Sequence, residues 1–150
     1  GMAGGSPNPT TAKGVTGVLA DPSKVINIPG CPAHPDWVIG TVAYILTNGT
    51  FPSLDASRRP NMFYSKRIHD YCSQRHNHCG GDHDAGTLGN SGCMEELGCK
   101  GPSTYADCYM RQFNSAQAGK FGVNWCIGAR SPCIGCVQPN FPDGMSPFFA

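Results

Sequence analysis

The sequence predicts a small, irregular, loop-rich domain with a few short α-helices and little or no β-sheet, organised around bound cofactors more than around a packed core. Three observations point there. Gly and Pro supply 20 and 13 of the 150 residues, well above ordinary usage, and both interrupt regular structure. Only 14% of the residues are charged, so the loops have few ion pairs to organise them. Ordering a loop costs about 1 to 2 kcal/mol of backbone entropy per residue, and nine cysteines are the obvious source of an offsetting cross-link or cofactor.

At this length one domain is expected. Residues 1–24, opening on "GMAGGSPNPTTAKG", read as an extended arm or linker, and residues 25–150 as the folded part. "KVINIPGC" (Lys24 to Cys31) contains a short β-like apolar stretch that stops at Pro29-Gly30. The strongest helix is "HPDWVIGTVAYILTNG": Pro35 suits a first turn, Asp36 favours the positive end, and Trp37, Val38, Thr41, Val42 and Ile45 recur at helical spacing. Asn48-Gly49 should end it. "SKRIHDYCSQR" (Ser65 to Arg75) predicts about two helical turns. Shorter turns are expected at "CMEELG" and at "STYADCYMRQFN", the latter capped by Ser103 or Thr104. From Gly119 onward, Pro132, Pro139, Pro142 and Pro147 leave only turns.

The formal net charge is +1, which gives no general attraction for nucleic acid. Arg58, Arg59, Lys66 and Arg67 read as a local solvated face. The longest apolar run, "VIGTVAYIL", is about half of what a bilayer crossing needs, so no membrane span is expected. No targeting peptide is visible, and the opening Gly1 suggests a processed or truncated product.

The thiols are Cys31, Cys72, Cys79, Cys93, Cys99, Cys108, Cys126, Cys133 and Cys136. An odd number argues against a complete disulfide framework. His69 and Cys72, three apart in "IHDYC", would share one helix face and join Cys93 and Cys99 as a first set of four donors. Cys108, Cys126, Cys133 and Cys136 form a second, ending in the Cys-x-x-Cys of "SPCIGC". Ligand types alone do not separate zinc from iron–sulfur clusters. Cys99 and Cys108 are nine residues apart, at most about 30 Å extended or roughly 13 Å helical, so the two centres must be neighbours. Neighbouring redox centres exchange electrons, which favours iron and sulfide modestly; a zinc-binding structural or interaction module with two Cys-rich sites stays as the alternative.

"VINIPGCPAHPDW", "IHDYC", "GCMEELGCKGPSTYADC", "NWC", "SPCIGC" and "PNFPDGMSPFF" together resemble the small, electron-transferring subunit of nickel–iron hydrogenases, in order, from "GSPNPT" to Phe149. The resemblance covers the C-terminal cluster-binding half, and the preceding flavodoxin-like domain is expected to be absent from this chain. It implies that His69, Cys72, Cys93 and Cys99 hold a distal [4Fe–4S] cluster. Cys108, Cys133 and Cys136 match the ligands of the medial cluster. That cluster is [3Fe–4S] in many members, which have proline where "NWC" here has Cys126. A medial [4Fe–4S] cluster is therefore expected, as in the nickel–iron–selenium branch, reverting to [3Fe–4S] if Cys126 does not ligate. Cys31 matches one ligand of a proximal [4Fe–4S] cluster whose other ligands belong to the missing domain.

The same resemblance implies a hydrogenase large subunit with the Ni–Fe site where hydrogen is split, an external carrier such as a cytochrome or ferredoxin, and a periplasmic or periplasm-facing location. No catalytic residue is expected in this chain. Backbone N–H groups of Gly98, Gly101, Gly128 and Gly135 are expected to donate to cluster sulfurs, and the neutral imidazole of His69 to make the distal centre easier to reduce. "HNHCGGDHD", with His76, His78, Cys79 and His83, reads as a polar surface loop with a spare thiol. His34 reads as a packed or capping side chain. Trp37, Trp125, Phe113, Phe148 and Phe149 read as cluster cover or as contacts between subunits, and Asp70, Glu95 and Glu96 as surface carboxylates.

Overall fold

Helix α1 (Pro35–Asn48) is the one long regular element, and its limits follow from local chemistry. The computed structural model describes residues 5–75, 84–113 and 124–149. At the N-terminus of α1, His34 Nδ1 accepts the Asp36 N–H at 3.0 Å, Pro35 takes the first helical position, and Asp36 lies in the first turn, each favourable at the positive end of a helix. Gly49 ends it in the left-handed region at φ +67°, where an L side chain would be strained. His34 is thus the cap, as expected.

Three single-turn helices follow: α2 (Asn61–Tyr64), α3 (Ile68–Tyr71) and α4 (Cys108–Arg111). Among the described residues there is no sheet; backbone pairing is limited to isolated bridges such as Arg67 with Tyr105 and Asp84 with Cys93. The apolar stretch after Lys24 forms no ladder. Its Asn27 N–H instead donates to Arg58 O at 2.9 Å.

The chain divides into two compact units. The first comprises the residues up to Ser65 together with Cys136–Gly144, and its core is aromatic. Trp37, 1% exposed, lies 5.0 Å from the Tyr64 ring centroid, tilted at 53°, the inclined arrangement such rings favour. Phe63, Val137 and Phe141 complete it. Gly40 is required there, because a Cβ would lie 2.8 Å from Phe63 Cζ. Trp37 is therefore part of this unit's core.

Two expectations fail in this unit. Arg59 is not on a solvated face: it is 7% exposed, pairs with Asp55 at 2.7 Å, donates to Val137 O at 2.8 Å and lies over the Tyr64 ring. Burial satisfies its donors internally instead of with water. On α1 only Trp37 and Thr41 are buried, while Val38, Ile39, Val42 and Leu46 are exposed, so the helix presents an apolar stripe as well as burying one.

The second unit runs from Lys66 to Gly135 and resumes at Met145. Its core is Ile68, Ala85, Met94, Ala106, Trp125, Ile127 and Met145. The predicted two turns around "IHDYC" shrink to α3, and the chain leaves it at Cys72 in an extended conformation, φ −71° and ψ 127°. Ser103 and Thr104 do not cap α4 either. They close a 3-10 turn over Gly101–Ser103, where Thr104 Oγ1 donates to Lys100 O. Asp107 is the residue before α4, and its carboxylate pairs with Arg111 at 2.7 Å.

Candidate metal centre

The first predicted donor set lies wholly within the second unit. His69 sits in α3, and Cys72 is the extended residue that follows it, so the two do not share a helix face as the spacing implied. Cys93 enters from the isolated bridge with Asp84. Cys99 leaves a one-turn "MEELG" loop whose ending is a Schellman motif: the Cys99 N–H donates to Met94 O at 3.0 Å and the Gly98 N–H to Glu95 O at 3.0 Å. Gly98 takes φ +90°, which is why glycine stands there. That bond also commits the Gly98 N–H to a carbonyl, contrary to the expectation that it serves a sulfur.

Cys72, Cys93 and Cys99 lie close enough for their charges to interact. Burial pushes the Cys72 and Cys93 thiols above the ordinary cysteine range, and the neighbouring sulfurs add to the rise because negative charges so close repel. The peptide groups of Gln74 and Arg75 beside Cys72, and that of Glu95 beside Cys93, pull the other way, while the Arg75 N–H itself donates to Cys72 O at 3.1 Å. Cys99 Sγ accepts the Cys133 N–H at 3.3 Å, and Cys133 O in turn accepts the Lys100 N–H at 2.7 Å. Each of these sulfurs thus has at least one peptide group beside it. The peptide groups of Gln74, Arg75, Glu95 and Cys133 were not foreseen, because spacing reveals which side chains are available but not which peptides the turns bring beside them.

His69 belongs to the same neighbourhood. A Cβ placed on Gly101 would lie 3.5 Å from Cys99 Sγ and 3.9 Å from the His69 backbone N, so both flank one glycine. His69 Nδ1 approaches Glu95 Oε2 at 4.0 Å. Asp70 is engaged by Arg67 through two hydrogen bonds of 2.7 and 3.0 Å, which hold its carboxyl below the usual range. Tyr71 stacks on Tyr109 at 4.9 Å and 12°, clamping α3 against α4.

Of the second predicted set, Cys108 begins α4 and Cys133 is buried in the Pro132 segment. Cys126 is exposed at the head of a second Schellman turn, closed by Arg130 N–H to Ile127 O and Ser131 N–H to Cys126 O, both 3.0 Å. In the first unit, Cys136 is half-buried and Cys31 exposed. The loop with His76, His78, Cys79 and His83 lies outside the described residues.

The donor chemistry suits iron–sulfur clusters. The eight described cysteines are not joined in disulfides. Tetrahedral zinc draws its thiolates to within about 4 Å of one another. A cluster of irons and sulfides spaces its ligands more widely, and its anionic sulfurs take peptide N–H donors.

Comparison with known proteins agrees. The family model for the C-terminal part of the NiFe/NiFeSe hydrogenase small subunit matches residues 64–149. The chain is 42% identical, over 95% of its length and 45% of the relative's, to the periplasmic [NiFeSe] hydrogenase small subunit of Desulfomicrobium baculatum. It is 40% identical, over 99% and 46%, to the periplasmic [NiFe] hydrogenase small subunit of Solidesulfovibrio fructosivorans. It therefore spans less than half the length of these curated relatives. Among solved structures, the H2-activated [NiFeSe] hydrogenase of Dm. baculatum superposes with a TM-score of 0.79 at 38% identity, covering 100% of this chain and 54% of that one. The recombinant [NiFeSe] hydrogenase of Desulfovibrio vulgaris Hildenborough gives 0.76 at 37%, covering 99% and 55%. No described helix is long and apolar enough to cross a membrane. The thiols with peptide groups beside them, the lack of sheet among the described residues and the match over most of the second unit lead to one conclusion: the chain belongs to the family of C-terminal domains of NiFe and NiFeSe hydrogenase small subunits.

Proposed function

We propose that this chain is the cluster-binding part of an electron-transfer subunit, moving electrons between a nickel–iron site in a large subunit, where hydrogen is oxidised or produced, and an external carrier. The observation that carries the reading is the neighbourhood of Cys72, Cys93 and Cys99, whose charges interact, with Cys99 Sγ accepting the Cys133 N–H at 3.3 Å.

Bound iron–sulfur clusters supply reversible one-electron transfer without bond breaking. In this reading His69, Cys72, Cys93 and Cys99 hold the distal [4Fe–4S] cluster, and Cys108, Cys126, Cys133 and Cys136 the medial one, also [4Fe–4S]. Cys31 gives one ligand to the proximal cluster. The peptide groups of Gln74, Arg75, Glu95 and Cys133 then stabilise added negative charge on the sulfurs, raising the reduction potential. The neutral His69 acts in the same direction by removing one negative ligand. The hydrogen bond from Cys133 to Cys99 links a residue of one set directly to a residue of the other. The apolar stripe on α1 suits cover by the rest of the small subunit or by the large one, and the names of the relatives favour a periplasmic location.

The test is metal and sulfide analysis of the assembled enzyme containing this chain. Iron and acid-labile sulfide in near-equal amounts, with about eight irons in the distal and medial sites together, is the expected result. Zinc at about two per chain without labile sulfide would replace this reading with that of a structural zinc module.

A further inference from the structure

Gln74 ligates nothing in the assignment above, yet it touches three ligand-bearing segments of the second unit. Its backbone lies beside Cys72, whose thiol pKa it lowers. Its side-chain Oε1 accepts the Gly92 N–H at 3.1 Å and Arg130 Nη1 at 2.6 Å, using both lone pairs of one amide oxygen. Gly92 immediately precedes Cys93, and Arg130 closes the turn that Cys126 opens.

That turn contains an exception to the usual chemistry. In the corresponding turn before Cys99, the left-handed position is filled by Gly98 at φ +90°; here it is filled by Arg130 at φ +63°. An L residue enters this region at a cost that glycine avoids, so something outside the turn has to hold Arg130 there. Its guanidinium is tied to Gln74. If that tie is lost, Arg130 favours the right-handed region. The Arg130 N–H to Ile127 O and Ser131 N–H to Cys126 O bonds then open together, and Cys126, exposed at the head of the turn, is no longer held in place.

We propose that Gln74 is a positioning residue that locks the Cys126 turn to the Cys72–Cys93 segments, so that the number of irons in the medial cluster is set in part by a residue of the distal ligand loop. The proposal rests on the assignment of Cys126 as fourth medial ligand. Its consequence is selective: losing the lock removes one thiolate, leaving three ligands and a three-iron cluster, with the distal set still bound.

The experiment is low-temperature electron paramagnetic resonance of the assembled, anaerobically oxidised enzyme, where a three-iron cluster is paramagnetic and a [4Fe–4S]²⁺ cluster is silent. Gln74→Leu is expected to produce a three-iron signal approaching one per chain, with the distal cluster retained. Gln74→Glu, which keeps the acceptor and suits Arg130, should stay silent. The double variant Gln74→Leu with Arg130→Gly should also be silent, because glycine takes the left-handed conformation without an anchor. A Gln74→Leu spectrum identical to that of a silent wild type would overturn the proposal, as would an undiminished three-iron signal in the double variant. Should Gln74→Leu alone fail to accumulate, a silent double variant supports the lock, and failure of both variants assigns Gln74 to general folding and overturns it. A three-iron signal in the unsubstituted enzyme would instead refute the Cys126 assignment, an outcome recognisable because it needs no substitution.

Discussion

In the proposed assignment, Cys126 is the residue on which the iron count of the medial site turns. It is exposed, at the head of a closed turn, with Cys133 seven residues on and buried. Replacing it with proline removes a thiolate and leaves three sulfur ligands, which is the condition for a three-iron cluster. Cys126→Pro in the assembled enzyme is expected to yield an oxidised paramagnetic signal of about one spin per chain, read by resonance spectroscopy. A silent oxidised spectrum would mean that Cys126 is not a ligand. At the same scale the structure adds what spacing could not: peptide groups beside Cys72 and Cys93, and an N–H donated to Cys99 from a residue thirty-four positions away. Such donors are invisible in a linear pattern because any residue except proline carries the same N–H group.

At the scale of elements, α1 was legible throughout. Its cap, its proline, its first-turn acid and its terminal glycine all stand at the positions their chemistry favours. The region around "IHDYC" was less so. Helical spacing placed His69 and Cys72 on one face, but α3 stops at Tyr71, since a single turn has too few internal bonds to propagate and tertiary contacts decide its length. The buried Arg59–Asp55 pair was missed because a basic cluster usually lies in solvent. With Arg59 7% exposed and bonded to Asp55 and Val137, Arg59→Met leaves Asp55 Oδ2 and Val137 O without the guanidinium, while Asp55 Oδ1 keeps the N–H groups of Ser57 and residue 59. Removing one partner of a buried hydrogen bond in this way costs about 1 to 3 kcal/mol, so the thermal midpoint of the assembled enzyme should fall measurably. An unchanged midpoint would show that water replaces the guanidinium at little cost.

At the scale of the whole molecule, stability is expected to reside in the cofactors. The described residues form no sheet and one helix longer than four residues, and the second unit gathers its loops around thiols. In such a chain the free energy of binding the metal centre is largely the free energy of folding. Complete removal of iron by chelation under reducing conditions is expected to abolish cooperative thermal unfolding of this region, followed by circular dichroism and calorimetry. A sharp transition surviving in the iron-free protein would place the stability in the aromatic core around Trp37 instead.

The abundance of Gly and Pro determined by itself that this is a loop-rich fold with short helices and no sheet among the described residues, and cysteine count and spacing proposed two sets of donors. Motif order was enough to indicate the hydrogenase small-subunit family, because thiol ligands and turn-forming residues are local properties of the chain. Tertiary structure alone decided which peptides lie beside the sulfurs, that Arg59 is inside, and that Gln74 joins the Cys72, Cys93 and Cys126 segments. Those facts depend on contacts between residues far apart in sequence, whose energies are set by burial and approach and not by neighbouring residue types.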